Sequence, residues 1–209
     1  KGAVAYVTLE PCNHYGETPP CTEALINAGI KKVVVSALDP DRRVNGRGIA
    51  RLKDAGIEVE TGLGVEKSTE VNKGFISKIT RSRPHITLKI ASSLDGKIAI
   101  NSGESKWITG ATARRRGHML RQIHDAIMIG SGTALADDPL LTARISGVTN
   151  NRRLRVILDG RLRIPLDSQL VKTASDFPLM VFTLSASSKT RDKIKKLTEA
   201  GVKVQICKE

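Results

Sequence analysis

The chain has 209 residues, room for one large or two modest domains, and no apolar run near the roughly 20 residues that a membrane helix needs. Its net charge of +13 is lopsided: residues 1–80 carry 11 Lys and Arg against 10 Asp and Glu, whereas residues 81–209 carry 23 against 11. The second half should therefore draw anions, and 3% aromatic content leaves little on which to stack bases, so small phosphorylated ligands are favoured over nucleic acid.

Taken in chain order, "AVAYVTL" (3–9) reads as a strand from the third residue, and no secretory signal is expected. Lys1 stands where a Met is usual, and an N-terminal truncation is expected. "PPCTEALINAG" has Pro at a helix start and Gly29 at its stop, and "KKVVVSAL" is a second strand. "GRGIARLKDAG" repeats the helix pattern with Gly56 as its cap, "IEVETGL" is a third strand, and 65–80 reads as one closing helix. Short β-branched runs separated by helices indicate a parallel α/β sheet. "RSRPH" (81–85) is the expected junction, because Pro84 disfavours helix at Arg83.

A second α/β series is expected from "HITLKIASSLDGKIA" onward. It continues with a helix over 111–123, a buried strand "DAIMIGS", the strands "RVILDG" and "LMVFTL", and a helix "SKTRDKIKKLTEAG" running into "VKVQIC". The domains expected are 1–81 and 82–209. Three cysteines, an odd number, argue against a disulfide framework and fit a reducing cytoplasm.

Two of those cysteines carry chemistry. Cys12 follows a strand and Cys21 falls in the first turn of the next helix, where backbone N–H groups favour a thiolate; together they make half of a tetrahedral zinc site. The alternative for a bare C-x8-C is two unrelated buried thiols. "EPC" after a strand and "PPC" at a helix start is the layout of zinc-dependent nucleobase deaminases. The longer "PCNHYGETPPC" resembles one branch, the pyrimidine deaminase of riboflavin biosynthesis, which is commonly fused to a C-terminal reductase. "SLDGKIA", "GESKWITG" and "GSGTALADDPLLTAR" in the second half are similar to that reductase, so the resemblance covers nearly the whole chain.

The resemblance implies a cytidine-deaminase-like three-layer α/β domain followed by a dihydrofolate-reductase-like α/β domain, both partial. It implies zinc held by Cys12 and Cys21, with His14 and Asp39 at the substrate. The family's third ligand and its acid–base glutamate come from a His-x-Glu upstream; none of the four histidines here, at 14, 85, 118 and 124, has Glu two residues on. Glu17 stands where the family usually has Lys or Arg, and Asp41 where it has Asn; Arg42, Arg43 or Arg47 are the residues placed to compensate. These departures leave open a reductase with a vestigial deaminase half.

In the second half the resemblance implies NADPH lined by Ala91, Trp107, Thr133, Asp137 and Gly160. Gly160 replaces the Ser that the family often has there. Ser105, Arg121, Leu141 and Arg144 then line the substrate site, with Lys89 and Asp95 as further pocket residues. Physically, Arg121 and Arg144 suit bidentate grip of a phosphate, though Arg121 read alone could be an exposed helix arginine. Trp107, the sole tryptophan, sits among small polar residues, which a core position would not predict. Arg114–Arg116 reads as a solvated helix face, and Cys207 as an ordinary strand residue. The family's glycine-rich turn and a substrate-facing glutamate are expected beyond the C-terminus.

The activity implied is deamination of a phosphoribosylated diaminopyrimidinone, then NADPH-dependent reduction of its ribosyl chain, in the cytoplasm. A homo-oligomer formed through the reductase domain is implied, with no membrane or nucleic-acid partner. Rivals of other classes are a basic RNA-binding module, suggested by pI ≈ 10.0, and a purely structural zinc domain.

Overall fold

A computed structural model describes residues 1–147, 152–184 and 188–207. The chain forms two compact units, Lys1–Leu88 and Lys89–Glu209.

The first unit runs β1 (Val4–Leu9), α1 (Cys21–Asn27), β2 (Lys32–Ala37), α2 (Arg47–Asp54), β3 (Glu58–Thr61), α3 (Val65–Val71) and α4 (Lys73–Arg81). Its strands form a parallel sheet in the order β1-β2-β3. The central position explains the sequence of β2: Val33, Val34 and Val35 are all buried, because a middle strand is covered on both faces. Val33 and Val35 pack with Leu52 of α2 and with Ile57.

The stretch read as one closing helix is two, broken at Asn72. There the side-chain Nδ2 donates to the Ser68 carbonyl at 2.9 Å, the carbonyl its own backbone N–H also uses. Such local side-chain bonding is why Asn weakens helix interiors.

The second unit contains α5 (Ala111–Ile123), β4 (Ala126–Gly130), α6 (Ser131–Asp137), β5 (Leu154–Leu158), α7 (Gln169–Lys172), β6 (Leu179–Thr183), α8 (Ser188–Glu199) and β7 (Val202–Ile206). Its sheet is parallel in the order β4-β5-β6-β7, so all four carboxyl ends share one edge. The core gathers Ile157, Leu170, Leu179, Val181, Leu197 and Val202.

One expectation fails here. β4 is not a buried strand: it bonds only β5, and Met128 is 53% exposed. Residues 85–91 form no strand; Ile86, Leu88 and Ile90 alternate as a strand would, but all are exposed. Period-2 alternation is a capacity to pair, and among the described residues no strand pairs with this segment.

Candidate functional site

In the first unit, the segment after β1 is fastened to the start of α1. The Cys21 N–H donates to Cys12 Sγ at 3.3 Å, the Thr22 N–H to the Cys12 carbonyl at 3.2 Å, and Thr22 Oγ1 to Asn13 Oδ1 at 3.0 Å. The start of α1 is thus brought against the first thiol. The Cys21 thiol is pushed above its ordinary value, first by hydrogen bonding to Cys12 and then by burial. Both cysteines are free, Cys12 half-buried and Cys21 exposed. As a fit to zinc, two thiols are half a tetrahedral set, and among the described residues no cluster of three His, Cys, Asp or Glu completes it.

Beside the thiols stand three groups with linked charges. Asp39 is buried, and its carboxylate accepts the Asp41 N–H at 2.8 Å. Burial raises the Asp39 pKa most, the Asp41 and Glu10 charges add to that, and the Asp41 N–H and the His14 charge oppose it. His14 Nδ1 is buried with no hydrogen-bond partner, so the ring has an uncommitted nitrogen. Asp41 is gripped by Arg43, with Nη2 to Oδ2 at 2.6 Å, and those bonds hold its carboxyl down to about 2. Among the three arginines named as compensators, Arg43 is thus the one that neutralises Asp41. Glu17 is exposed.

Sequence reasoning missed what sets this loop. The Glu10 carboxylate, 3% exposed, takes four backbone N–H groups: Gly48 and Ile49 on Oε1 at 2.9 and 3.1 Å, Gly46 and Asp39 on Oε2 at 2.9 and 3.3 Å. It ties the end of β1 to the Asp39 turn and to the start of α2. Gly48 is required there, because a Cβ would stand 1.9 Å from the Pro11 carbonyl oxygen.

In the second unit the expected residues fall into two groups. One lies along the carboxyl edge of the sheet, where open parallel sheets bind ligands. A cavity of about 270 Å³ opens there, lined by Asp159, Gly160, Thr183, Leu184 and Cys207 among others. Thr133 and Asp137, on α6 after β4, are exposed. The cavity is below the roughly 300–1,000 Å³ of a drug-sized ligand, so it fits a portion of a dinucleotide. Cys207 is not an ordinary strand residue: it lies one past β7, its N–H on the Thr183 carbonyl at 2.8 Å.

The other group is organised by α5. Positions 114, 118 and 121 fall within about 60° of arc on one face of a helix. Arg114 lies over the Trp107 ring, 4.3 Å from its centroid, and donates to the Thr109 carbonyl at 2.5 Å. Trp107 is 71% exposed, not a core residue. Arg114 is accordingly no solvated bystander, which corrects the reading of the basic run; Arg115 and Arg116 are exposed as expected.

One turn on, His118 Nδ1 receives the Arg144 N–H at 3.2 Å, and Arg121 Nη1 donates to the Thr142 carbonyl at 3.1 Å. Arg121 is half-buried; burial and the Arg144 charge both lower its pKa. Burial, Arg121 and Arg144 likewise lower that of His118. Three basic groups thus face one another, an arrangement suited to an anion. Leu141 lies inside this segment, buried, with φ at +57°.

Four expected residues stand less clearly in a site. Ala91 and Ser105 are half-buried in stretches without helix or strand. Asp95 accepts the Ser93 hydroxyl within a turn that Gly96 closes on the Ser93 carbonyl, a local structural role. Lys89 is exposed, its Cε passing 3.9 Å from where a Gly117 Cβ would be.

Comparison with known proteins agrees with this layout. Residues 84–208 match the family described as the RibD C-terminal domain, and residues 1–37 the cytidine and deoxycytidylate deaminase zinc-binding region. The chain is 46% identical over 208 residues to the riboflavin biosynthesis protein RibD of Aquifex aeolicus, covering 100% of this chain and 57% of that protein. Against RibD of Escherichia coli it is 48% identical over 172 residues, 81% of this chain and 47% of that protein. Among solved structures, Acinetobacter baumannii RibD superposes with a TM-score of 0.84 at 40% identity, covering 100% of this chain and 57% of that one. The Thermotoga maritima diaminohydroxyphosphoribosylaminopyrimidine deaminase/5-amino-6-(5-phosphoribosylamino)uracil reductase gives 0.77 at 36% identity, with 96% and 60% covered. The chain spans about half the length of the relatives it matches. It belongs to the RibD family, with a deaminase-type zinc-binding region ahead of a reductase domain.

Proposed function

We propose that the protein carries out two steps of riboflavin biosynthesis. Residues 1–81 contribute to the hydrolytic deamination of 2,5-diamino-6-(5-phosphoribosylamino)pyrimidin-4-one. Residues 82–209 contribute to the reduction of the resulting aminouracil's ribosyl chain to ribityl. The setting is cytoplasmic, with self-association through the reductase domain. The bond from the Cys21 N–H to Cys12 Sγ, which brings the two cysteines next to each other, is the observation that carries the reading. The facing basic groups Arg121, His118 and Arg144 support its second half.

Cys12 and Cys21 would hold zinc, which supplies Lewis-acid activation of water when bound. His14, with its uncommitted nitrogen, and buried Asp39 would orient the pyrimidine. The pairing of Asp41 with Arg43 removes the repulsion toward a phosphate that Asp41 would otherwise add, so this departure does not count against deaminase competence. In the second unit Trp107, Thr133, Asp137, Gly160 and Ala91 would line NADPH, the source of the hydride. Arg121 and Arg144 would grip the 5-phosphate, beside Ser105 and Leu141.

Two measurements test this in the natural gene product that carries these residues. Cys12→Ser or Cys21→Ser should lower bound zinc to background and abolish ammonia release, leaving NADPH-dependent reduction of the aminouracil in place. Wild-type protein that purifies without zinc and releases no ammonia would leave only the reductase. Arg121→Gln and Arg144→Gln should each raise KM for the phosphorylated aminouracil about 10- to 100-fold. They should leave KM for the dephosphorylated compound unaltered; an equal rise for both compounds would show that neither arginine meets the phosphate.

A further inference from the structure

We propose that His118 is a positioning residue of the reductase site: its neutral imidazole accepts the backbone N–H of Arg144 and thereby sets where the Arg144 guanidinium meets an anion. The inference rests on the reading of this place as the phosphate-binding end of the site.

Residues 140–144 form a strap held at alternate positions. Arg155 Nη1 donates to the Leu140 carbonyl at 3.1 Å, Arg121 Nη1 to the Thr142 carbonyl at 3.1 Å, and the Arg144 N–H meets His118 Nδ1 at 3.2 Å. Between these fastenings the side chains of Leu141, Thr142 and Ala143 are buried. Leu141 has φ at +57°, a conformation that bulky residues adopt only when their surroundings impose it. The strap's shape is therefore set by its tethers, and the last tether adjoins the residue that carries the exposed guanidinium.

The three tethers differ in kind. Two are guanidinium groups donating to carbonyls, whereas the third is a ring nitrogen receiving an N–H. For Nδ1 to accept, the ring must be neutral with its proton on Nε2, since a protonated imidazole has two donors and no acceptor. The surroundings favour that state. The charged groups facing the ring are Arg121, from the same helix, and Arg144, from the strap; with burial they oppose a further positive charge, while the Thr142 carbonyl pulls weakly the other way.

Ribose 5-phosphate is the probe, because its binding to the natural gene product needs no turnover. Wild type should bind it, and His118→Leu, close in size but without an acceptor, should weaken binding about tenfold, the scale on which ångström misplacements of a clamp are felt. His118→Asn, whose Oδ1 can take the same N–H, should recover most of that loss. In turnover, His118→Leu should raise KM for the phosphorylated aminouracil by a similar factor, with kcat and KM for NADPH moving less than about twofold.

A Leu variant that binds as wild type does, or better than the Asn variant, would show that the ring only fills space and would overturn the inference. So would a loss that falls on kcat or on NADPH. If wild type binds ribose 5-phosphate with the expected pattern in the variants but reduces nothing with NADPH, the reductase reading falls and the positioning role stands. No binding by wild type would sink both.

Discussion

Replacing Glu10 with alanine should destabilise the first unit by about 4 kcal/mol, the largest effect expected from any single change there. A hydrogen bond to a charged group contributes roughly 1.5–3 kcal/mol, and a buried donor stripped of its partner costs about 1–3 kcal/mol. Glu10 serves four such donors, on Asp39, Gly46, Gly48 and Ile49, with both oxygens fully used. The individual values do not add, because the freed N–H groups share one small space and relax together. Glu10→Gln should lose more than half as much, since its amide NH2 must face two of the same N–H groups. Urea unfolding followed by circular dichroism would measure both variants. A loss under about 1 kcal/mol for the alanine variant would mean that water or backbone shifts replace the carboxylate. Glu10 also anchors the segment that carries Cys12 to the Asp39 turn, so weaker zinc retention should accompany the loss of stability.

Arg155→Met should destabilise the second unit by about 3–5 kcal/mol, although methionine fits the apolar surroundings of β5 better. The Arg155 side chain is 1% exposed and serves the Leu140, Leu170, Thr173 and Phe177 carbonyls and the Thr173 hydroxyl, at 2.6–3.1 Å. Leu170 lies in α7 and Thr173 just beyond it, so one guanidinium fastens the end of that short helix to β5. Burial pushes the Arg155 pKa down to about 10, which still leaves it charged at neutral pH. Arg155→Lys should be nearly as harmful: three donors on one nitrogen cannot span carbonyls arrayed around a planar fork. A lysine variant within about 1 kcal/mol of wild type in guanidinium unfolding would show that charge alone suffices. Because Leu140 begins the strap, both variants should also weaken binding of ribose 5-phosphate if the function proposed above holds.

The contrast between these two residues and the motifs explains what could be read from the sequence. "PPC" at a helix start, the apolar run of β2 and the strand ends at Cys12 and Gly160 are local patterns, and local patterns report on local structure. Glu10 reads as a lone acid beside a proline because its partners lie 29 to 39 residues on. Arg155 opens an apolar run and reads as an outward-facing charge; only the packing of α7 turns it inward. The pairing of Asp41 with Arg43 was within reach, since a single residue separates them and a turn brings them together.

Segment 85–91 shows the converse: Ile86, Leu88 and Ile90 alternate as a strand would, yet among the described residues no strand pairs with them. His118 was given no site role for a different reason. A single histidine carries little signal, and its meaning came from sharing a face with Arg114 and Arg121, a spacing of four and three that the sequence does display.

That shared face makes α5 a ruler. From the Arg114 that covers Trp107 to the Arg121 beneath the strap is seven residues, about 10 Å of rise, so the helix fixes the distance between the indole and the guanidinium pair in register. One residue inserted between them would swing everything beyond it by about 100° and turn the far mark off the scale. On the function proposed above, a change in the length of α5 would therefore separate the ring that Arg114 covers from the guanidinium pair beneath the strap, whereas its outer side makes no such demand.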